Sequence, residues 1–123
     1  MKFSEQILEK NSNFIKSYTS SSIAILDKEY NYNIIVPPKN PIIKCNKYST
    51  TITKECIMNN IIDNVNFVII GLNNTGCIDK TPIISELNDA NIGVEIMSIS
   101  AACSCHNILL SEQRIFLSFI LFN

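Results

Sequence analysis

From residue 66 onward the chain alternates continuous apolar runs with segments of helical periodicity, and this alternation constrains the fold more than any other feature. Asn66-Phe67-Val68-Ile69-Ile70-Gly71 is apolar without interruption and ends in glycine, as a strand buried on both faces requires. A polar loop spans residues 72–80. Thr81-Pro82 then starts a helix, with Thr81 at the N-cap and Pro82 in the first turn. Ile83, Leu87 and Ala90 give that helix one buried stripe, and residues 91–93 close it. Residues 94–97 read as a second buried strand. Ser98 or Ser100 caps the next helix, whose apolar face is read as Ala101, Cys105, Ile108 and Leu109. Residues 115–122 are apolar on both alternating faces, which suits a central strand or an interface strand. The order β-α-β-α-β at this spacing predicts parallel strands joined by right-handed crossovers.

The first half is built differently. Residues 13–18, 22–26 and 30–36 are short β-favouring runs, with Asp27-Lys28 as a hairpin turn between the second and third. Pro37, Pro38 and Pro41 interrupt any ladder, and residues 42–45 suit a short edge strand. Thr53 suits the cap of a helix running to about residue 62, with Ile57 and Ile61 on one face. Residues 1–12 read as a frayed end or a short helix around Ile7 and Leu8. The prediction is one compact α/β domain over residues 13–123. Its sheet is mixed, with antiparallel N-terminal strands packing on or extending the C-terminal β-α-β-α-β unit. There is no internal repeat and no interdomain linker.

Composition excludes several classes. At 123 residues the chain suits one domain, and 46% hydrophobic with 17% charged residues excludes a disordered polymer. A net charge of −1 and a pI near 5.7 argue against electrostatic nucleic-acid binding. The apolar runs at 67–72 and 115–122 fall far short of the roughly 20 residues that span a bilayer. Glu5, Gln6, Glu9 and Lys10 break up any signal-peptide core. The five cysteines, Cys45, Cys56, Cys77, Cys103 and Cys105, are odd in number and irregular in spacing. They predict free thiols in a reducing, cytoplasmic protein. The oligomeric expectation is a monomer or weak homodimer. With 23 Ile, 16 Asn and nine Lys against one Arg, the composition looks like that of an AT-rich genome, which draws attention to the retained Arg114.

Two constellations invite chemistry. Open α/β sheets bind ligands at the carboxyl ends of their strands, where residues 71–76 and 97–101 should meet. Gly71, Asn73, Asn74, Ser98 and Ala101, with Asn107 and Arg114 nearby, are the candidate crevice for a ligand or partner. A small anion there would meet the amides of the helix starting near Ser100. The same loop also reads as a tight turn needing a permissive backbone, and it matches no nucleotide-binding fingerprint. Cys103-Ser104-Cys105-His106 suggests a metal site, but Cys103 and Cys105 would point about 200° apart on a helix, and His106 is the chain's one histidine. A Cys103–His106 nucleophile pair has suitable spacing but no third group to orient it. No catalytic residue, metal or cofactor is therefore assigned. Arg114 is expected to be at least partly buried and paired with Glu95 or Glu112.

These residues resemble a known family of small α/β domains. The most specific part is Asn91-Ile92-Gly93-Val94-Glu95-Ile96-Met97, followed by Ala101-Ala102-Cys103, Asn107-Ile108-Leu109 and Glu112-Gln113-Arg114. The family shows a Gly-Val-Glu-Val-Met strand, an Ala-Ala helix start, an Asn-x-Leu and a Glu-x-Arg. Val68 to Gly71 and Tyr30 to Pro37 match two further segments. The family includes uncharacterised bacterial proteins, the third assembly factor of mitochondrial NADH-ubiquinone oxidoreductase and the mammalian adipogenesis-associated domain protein. The chain departs from the pattern at Leu72-Asn73, at Ser98-Ile99 and at Ser104-Cys105-His106, and it lacks a tryptophan. The resemblance implies an α/β fold and a non-enzymatic, assembly-factor-like protein that works with a protein partner. The alternative reading is a small-ligand or enzymatic domain using the strand-end crevice.

Overall fold

The computed structural model describes residues 12–39, 41–45, 57–61, 64–73 and 81–122. In chain order the elements are β1 (Ile15–Tyr18), β2 (Ile23–Ile25), β3 (Lys28–Tyr30), β4 (Ile34–Val36), β5 (Ile43–Lys44) and β6 (Phe67–Leu72). Then follow α1 (Thr81–Asp89), β7 (Gly93–Ser98), α2 (Ile99–Ser111) and β8 (Leu117–Leu121). A five-stranded sheet has the order β5-β4-β8-β6-β7, and a separate antiparallel sheet has the order β1-β2-β3.

The C-terminal β-α-β-α-β unit forms as the alternation predicts. β6 pairs in parallel with both β7 and β8, and β8 lies centrally between β4 and β6. The chain steps from β6 to β7 in one direction and from β7 back across β6 to β8 in the other. Right-handed crossovers must then put the two helices on opposite faces of the sheet. Two separate cores confirm the placement. Ile83 and Leu87 of α1 pack with Ile57, Val68, Ile70, Leu72, Leu117 and Phe119. Ile99, Ala102, Cys103, Leu109 and Leu110 of α2 pack with Ile69, Ile120 and the inward residues of the three-stranded sheet, Ile15, Ile23 and Ile25. Strand alternation divides the side chains, so Ile34 and Val36 face the α2 core while Ile35 faces the α1 core.

The N-terminal strands do both things expected of them. β4 and β5 extend the main sheet, while β1 to β3 pack over its α2 face. The apolar run at 30–36 is not one strand, because residues 31–33 carry the chain from one sheet to the other. Asn33 fixes that step: its Oδ1 accepts from Phe122 N at 2.8 Å and its carbonyl accepts from Cys45 N at 2.9 Å. The hairpin turn is Leu26-Asp27, one residue earlier than expected. Ile25 pairs with Lys28, which leaves Ile23 and Ile25 inward together.

Both helices end in the same way. Ile92 N bonds Leu87 O and Asn91 N bonds Asn88 O after α1, while Arg114 N bonds Leu109 O and Gln113 N bonds Leu110 O after α2. Asn91 and Gln113 are left-handed, at φ 64° and 58°, as this closing motif requires. Of the helix expected after Thr53, Ile57 and Met58 are helical; Ile57 is buried and Ile61 packs beside it, while Thr53 itself lies outside the described residues. Among the described residues no helix is long and apolar enough to cross a membrane.

Candidate functional site

The three parallel strands finish level with one another. Leu72 is in register with Ser98 on one side and Leu121 on the other. The helix α2 starts directly at that edge. Ser98 is its N-cap, with φ −64° and ψ 160°, and its Oγ accepts from Ala101 N at 3.2 Å. Ser98 Oγ also lies 3.2 Å from Ser100 Oγ. Gly71 is buried beneath the first turn of α2. A Cβ added there would stand 2.7 Å from Ala102 Cβ and 3.5 Å from Ile99 Cα, so the glycine lets the helix settle onto the strand backbone. Asn73 is exposed, and its amide donates to Ser20 O at 3.1 Å and Phe122 O at 3.0 Å. It ties the β1–β2 loop to the end of β8. Asn74, Gly76 and Cys77 lie outside the described residues.

The fold therefore gathers Gly71, Asn73, Ser98 and Ala101 at one edge, but not Asn107 or Arg114. α2 runs back along the strands for about 20 Å, and Arg114 lies beyond its far end. The expectation of a partly buried Arg114 is corrected. Its side chain is 60% exposed, with Nη1 3.7 Å from Oε1 of an equally open Glu112. The reason is local: residues 112–114 form the turn that closes α2 and not a strand, and the backbone N–H of Arg114 is what the structure uses. Glu95 is exposed on β7, the outer strand of the sheet.

The face of α2 is also corrected. Its buried residues are Ile99, Ala102, Cys103, His106, Asn107, Leu109 and Leu110, while Ile108 is 57% exposed and Ala101 faces solvent. Counting from the true N-cap gives positions 99, 102, 103, 106 and 110, an ordinary inward frame that happens to contain a histidine. Of the expected face, Leu109 is buried and Cys105 is half-buried against the same core, and only Ala101 and Ile108 turn outward.

The polar residues on the inward face form a buried network that the sequence reading did not find. His106 Nε2 donates to the carbonyl of Asn13 at 2.8 Å, since a carbonyl can only accept. Nδ1 must then accept from the Ser118 hydroxyl, also at 2.8 Å. The ring meets Phe116 edge-on, with centroids 5.1 Å apart. Asn107 acts as a substitute strand: its Nδ2 donates to Ile15 O and its Oδ1 accepts from Ile15 N, both at 3.0 Å. Asn13 donates through Nδ2 to Pro37 O and through its backbone to Pro38 O, both at 2.8 Å. The available signal was the helical frame itself, in which two adjacent polar residues fell at inward positions.

Electrostatics fit this structural role. Complete burial pushes the His106 imidazole down to about 4, against a smaller opposing effect from the Asn13 carbonyl. Burial pushes the Cys103 thiol up to about 12. A neutral imidazole and a protonated thiol do not make the ion pair of a cysteine nucleophile. Cys105 is also raised, by burial first and then by the charges of Glu95 and Glu112. Both His106 nitrogens are engaged, and among the described residues no group of three His, Cys, Asp or Glu side chains converges as a metal site would need.

A protein from Bordetella parapertussis is 20% identical, with a TM-score of 0.77 over 91% of this chain and 97% of its own. A Bordetella pertussis protein described as an Mth938-like domain is 16% identical, with a TM-score of 0.73 over 98% of this chain and 92% of its own. A Bartonella henselae protein described as an outer membrane protein is 22% identical, with a TM-score of 0.68 over 90% and 95%. At these identities the likeness establishes the fold alone. No curated protein matches the chain. The family model described as protein of unknown function (DUF498/DUF598) matches residues 15–121, from the first residue of β1 to the last of β8. The chain thus belongs to the DUF498/DUF598 family.

Proposed function

We propose that this chain is a non-enzymatic protein-interaction domain of the assembly-factor type, acting in the cytoplasm. Its resemblance to the assembly factor of the mitochondrial NADH-ubiquinone oxidoreductase supports that reading and extends it to membrane-complex assembly. The observation that carries it is the outward side of α2. Ala101 and Ile108 stand at i and i+7 on the exposed side of α2, and Ile115 beyond the helix is 55% exposed. Ile108 and Ile115 are large apolar side chains left open to water towards one end of α2, and cover by a partner would remove them from it. The candidate crevice residues favour this reading over a ligand crevice, because Gly71, Asn73, Ser98 and Asn107 each already serve helix packing, loop closure, capping or strand pairing. Photo-crosslinking in the native cell tests it. A crosslinking residue at position 108 should capture the same protein reproducibly, and one at exposed Glu86 on α1 should not. No reproducible adduct from position 108, or identical adducts from both, would defeat the proposal.

A further inference from the structure

We infer that the tip and outer edge of the β2–β3 hairpin form a second docking surface, one that takes an acidic protein segment carrying an apolar residue. Two unfavourable features coincide at Leu26. It is left-handed, at φ 54°, in the first central position of a two-residue hairpin loop, where Gly, Asn or Asp is the residue the turn favours. It also presents its side chain to solvent, 50% exposed. Asn at this position would satisfy the turn and the solvent together, so Leu26 serves neither the turn nor the core. Strain of this kind, held at an exposed apolar tip, points to a use outside the folded chain.

The neighbouring residues give the partner's chemistry. Lys28 Nζ lies 5.2 Å from the centroid of the Tyr30 ring, Tyr30 meets Tyr32 edge-on at 6.0 Å, and Lys44 Nζ lies 4.7 Å from the centroid of Tyr32. These contacts form one continuous row across the open margins of both sheets, from β3 to β5. Lys28 and Lys44 are exposed and have no carboxylate partner among the described residues. Strand alternation sends Glu29 to the opposite face from Lys28 and Tyr30, and Asp27 lies in the turn. The row offers two exposed ammonium groups beside half-buried aromatic rings. That complements carboxylates, while Leu26 supplies an apolar contact at one end. A surface of anionic lipid is held by clusters of roughly four to eight basic side chains, more than the two lysines here, so a protein segment with spaced carboxylates is the occupant that fits.

The test titrates the isotope-labelled full chain with two synthetic peptides, Glu-Glu-Leu-Glu-Glu and Lys-Lys-Leu-Lys-Lys, and follows backbone amide shifts. The acidic peptide should shift residues 26–32 and 44, more weakly as salt rises. Lys28→Glu with Lys44→Glu should weaken it at least tenfold. Leu26→Asn should raise the melting temperature and still weaken binding several-fold, a combination that misfolding cannot produce. The inference is overturned if millimolar acidic peptide leaves those amides unmoved or if the basic peptide shifts them equally. It is also overturned if phosphatidylserine vesicles sediment the chain while the peptide fails.

Discussion

The two faces of the central sheet are closed by different physics. On one side α1 covers Val68, Ile70, Leu72, Leu117 and Phe119 with Ile83 and Leu87, and among the described residues this contact is made by apolar side chains. On the other side α2 and the three-stranded sheet meet through hydrocarbon and also through His106, Asn107, Ser118 and Asn13. The α1 face needs only volume. The α2 face must also satisfy the backbone of a neighbouring segment, because Ile15 and Asn13 present main-chain groups to the interior that no strand reaches. Every buried side-chain polar atom among the described residues finds a partner, so the network is complete.

The sharpest test of that difference is a polarity swap. Asn107→Leu adds apolar bulk to a buried site but leaves the N–H and C=O of Ile15 unpaired. Two orphaned groups at about 1–3 kcal/mol each should destabilise the fold by roughly 3 kcal/mol. Leu87→Met on the α1 face keeps volume and polarity and should cost less than about 1.5 kcal/mol. Urea unfolding of both variants decides it. Equal losses would mean that the two faces differ in sequence only and not in how they hold together.

The same node should make stability depend on pH. Folded His106 titrates near 4, against 6.5 for the unperturbed side chain. Between those values the unfolded chain binds the additional proton, so stability is full above about pH 6.5 and falls as pH drops towards 4. The gap corresponds to about 3 kcal/mol. His106→Gln, neutral throughout, should lose less stability over that range, since what remains belongs to carboxylates. Denaturant curves from pH 7 to pH 4 on both proteins measure the difference, and parallel losses would remove His106 as the cause.

The unequal faces also explain what could be read from the sequence. The strands at 67–72 and 117–121, the α1 stripe and its Asn91 closure were legible because hydrophobic pattern and turn chemistry decide them locally. Asn107 and His106 were not, since the groups they satisfy lie 92 and 93 residues away in the chain. The division of residues 30–36 between two sheets failed for the same reason, because the partner of Asn33 is Phe122. At the strand ends, the glycine at position 71 was visible, but its reason, the Ala102 side chain above it, is a tertiary contact.

That contact supplies the next prediction. Gly71→Ala puts a methyl group 2.7 Å from Ala102 Cβ, and neither the strand nor the helix start can move freely. Overpacking of this kind costs about 1–3 kcal/mol. The double variant Gly71→Ala, Ala102→Gly should recover part of the loss, less the helix cost of the new glycine at roughly 1 kcal/mol. A thermal-unfolding cycle over the four proteins measures the coupling. Simple additivity would show that Gly71 is kept for something other than the approach of α2, and would return attention to the loop that follows it.

The smallest effect belongs to Arg114, at the end of α2 furthest from Gly71. Its guanidinium pairs with Glu112 at 3.7 Å, with both side chains more than half exposed. Water and salt screen such a pair, and two long side chains lose rotamer freedom to hold it, so its net worth is about 0–1 kcal/mol. The backbone N–H that closes the helix on Leu109 O survives any substitution except proline. Arg114→Ala should therefore unfold within about 1 kcal/mol of the parent, with a difference that shrinks further in high salt. A loss of 3 kcal/mol or more would mean that the arginine is desolvated in solution, which requires a covering surface from a second molecule. A neutral result leaves Arg114 available as a polar border to the open side of α2, beside exposed Ile108 and Ile115. In that case Arg114→Ala should leave stability intact and reduce the crosslinking yield from position 108.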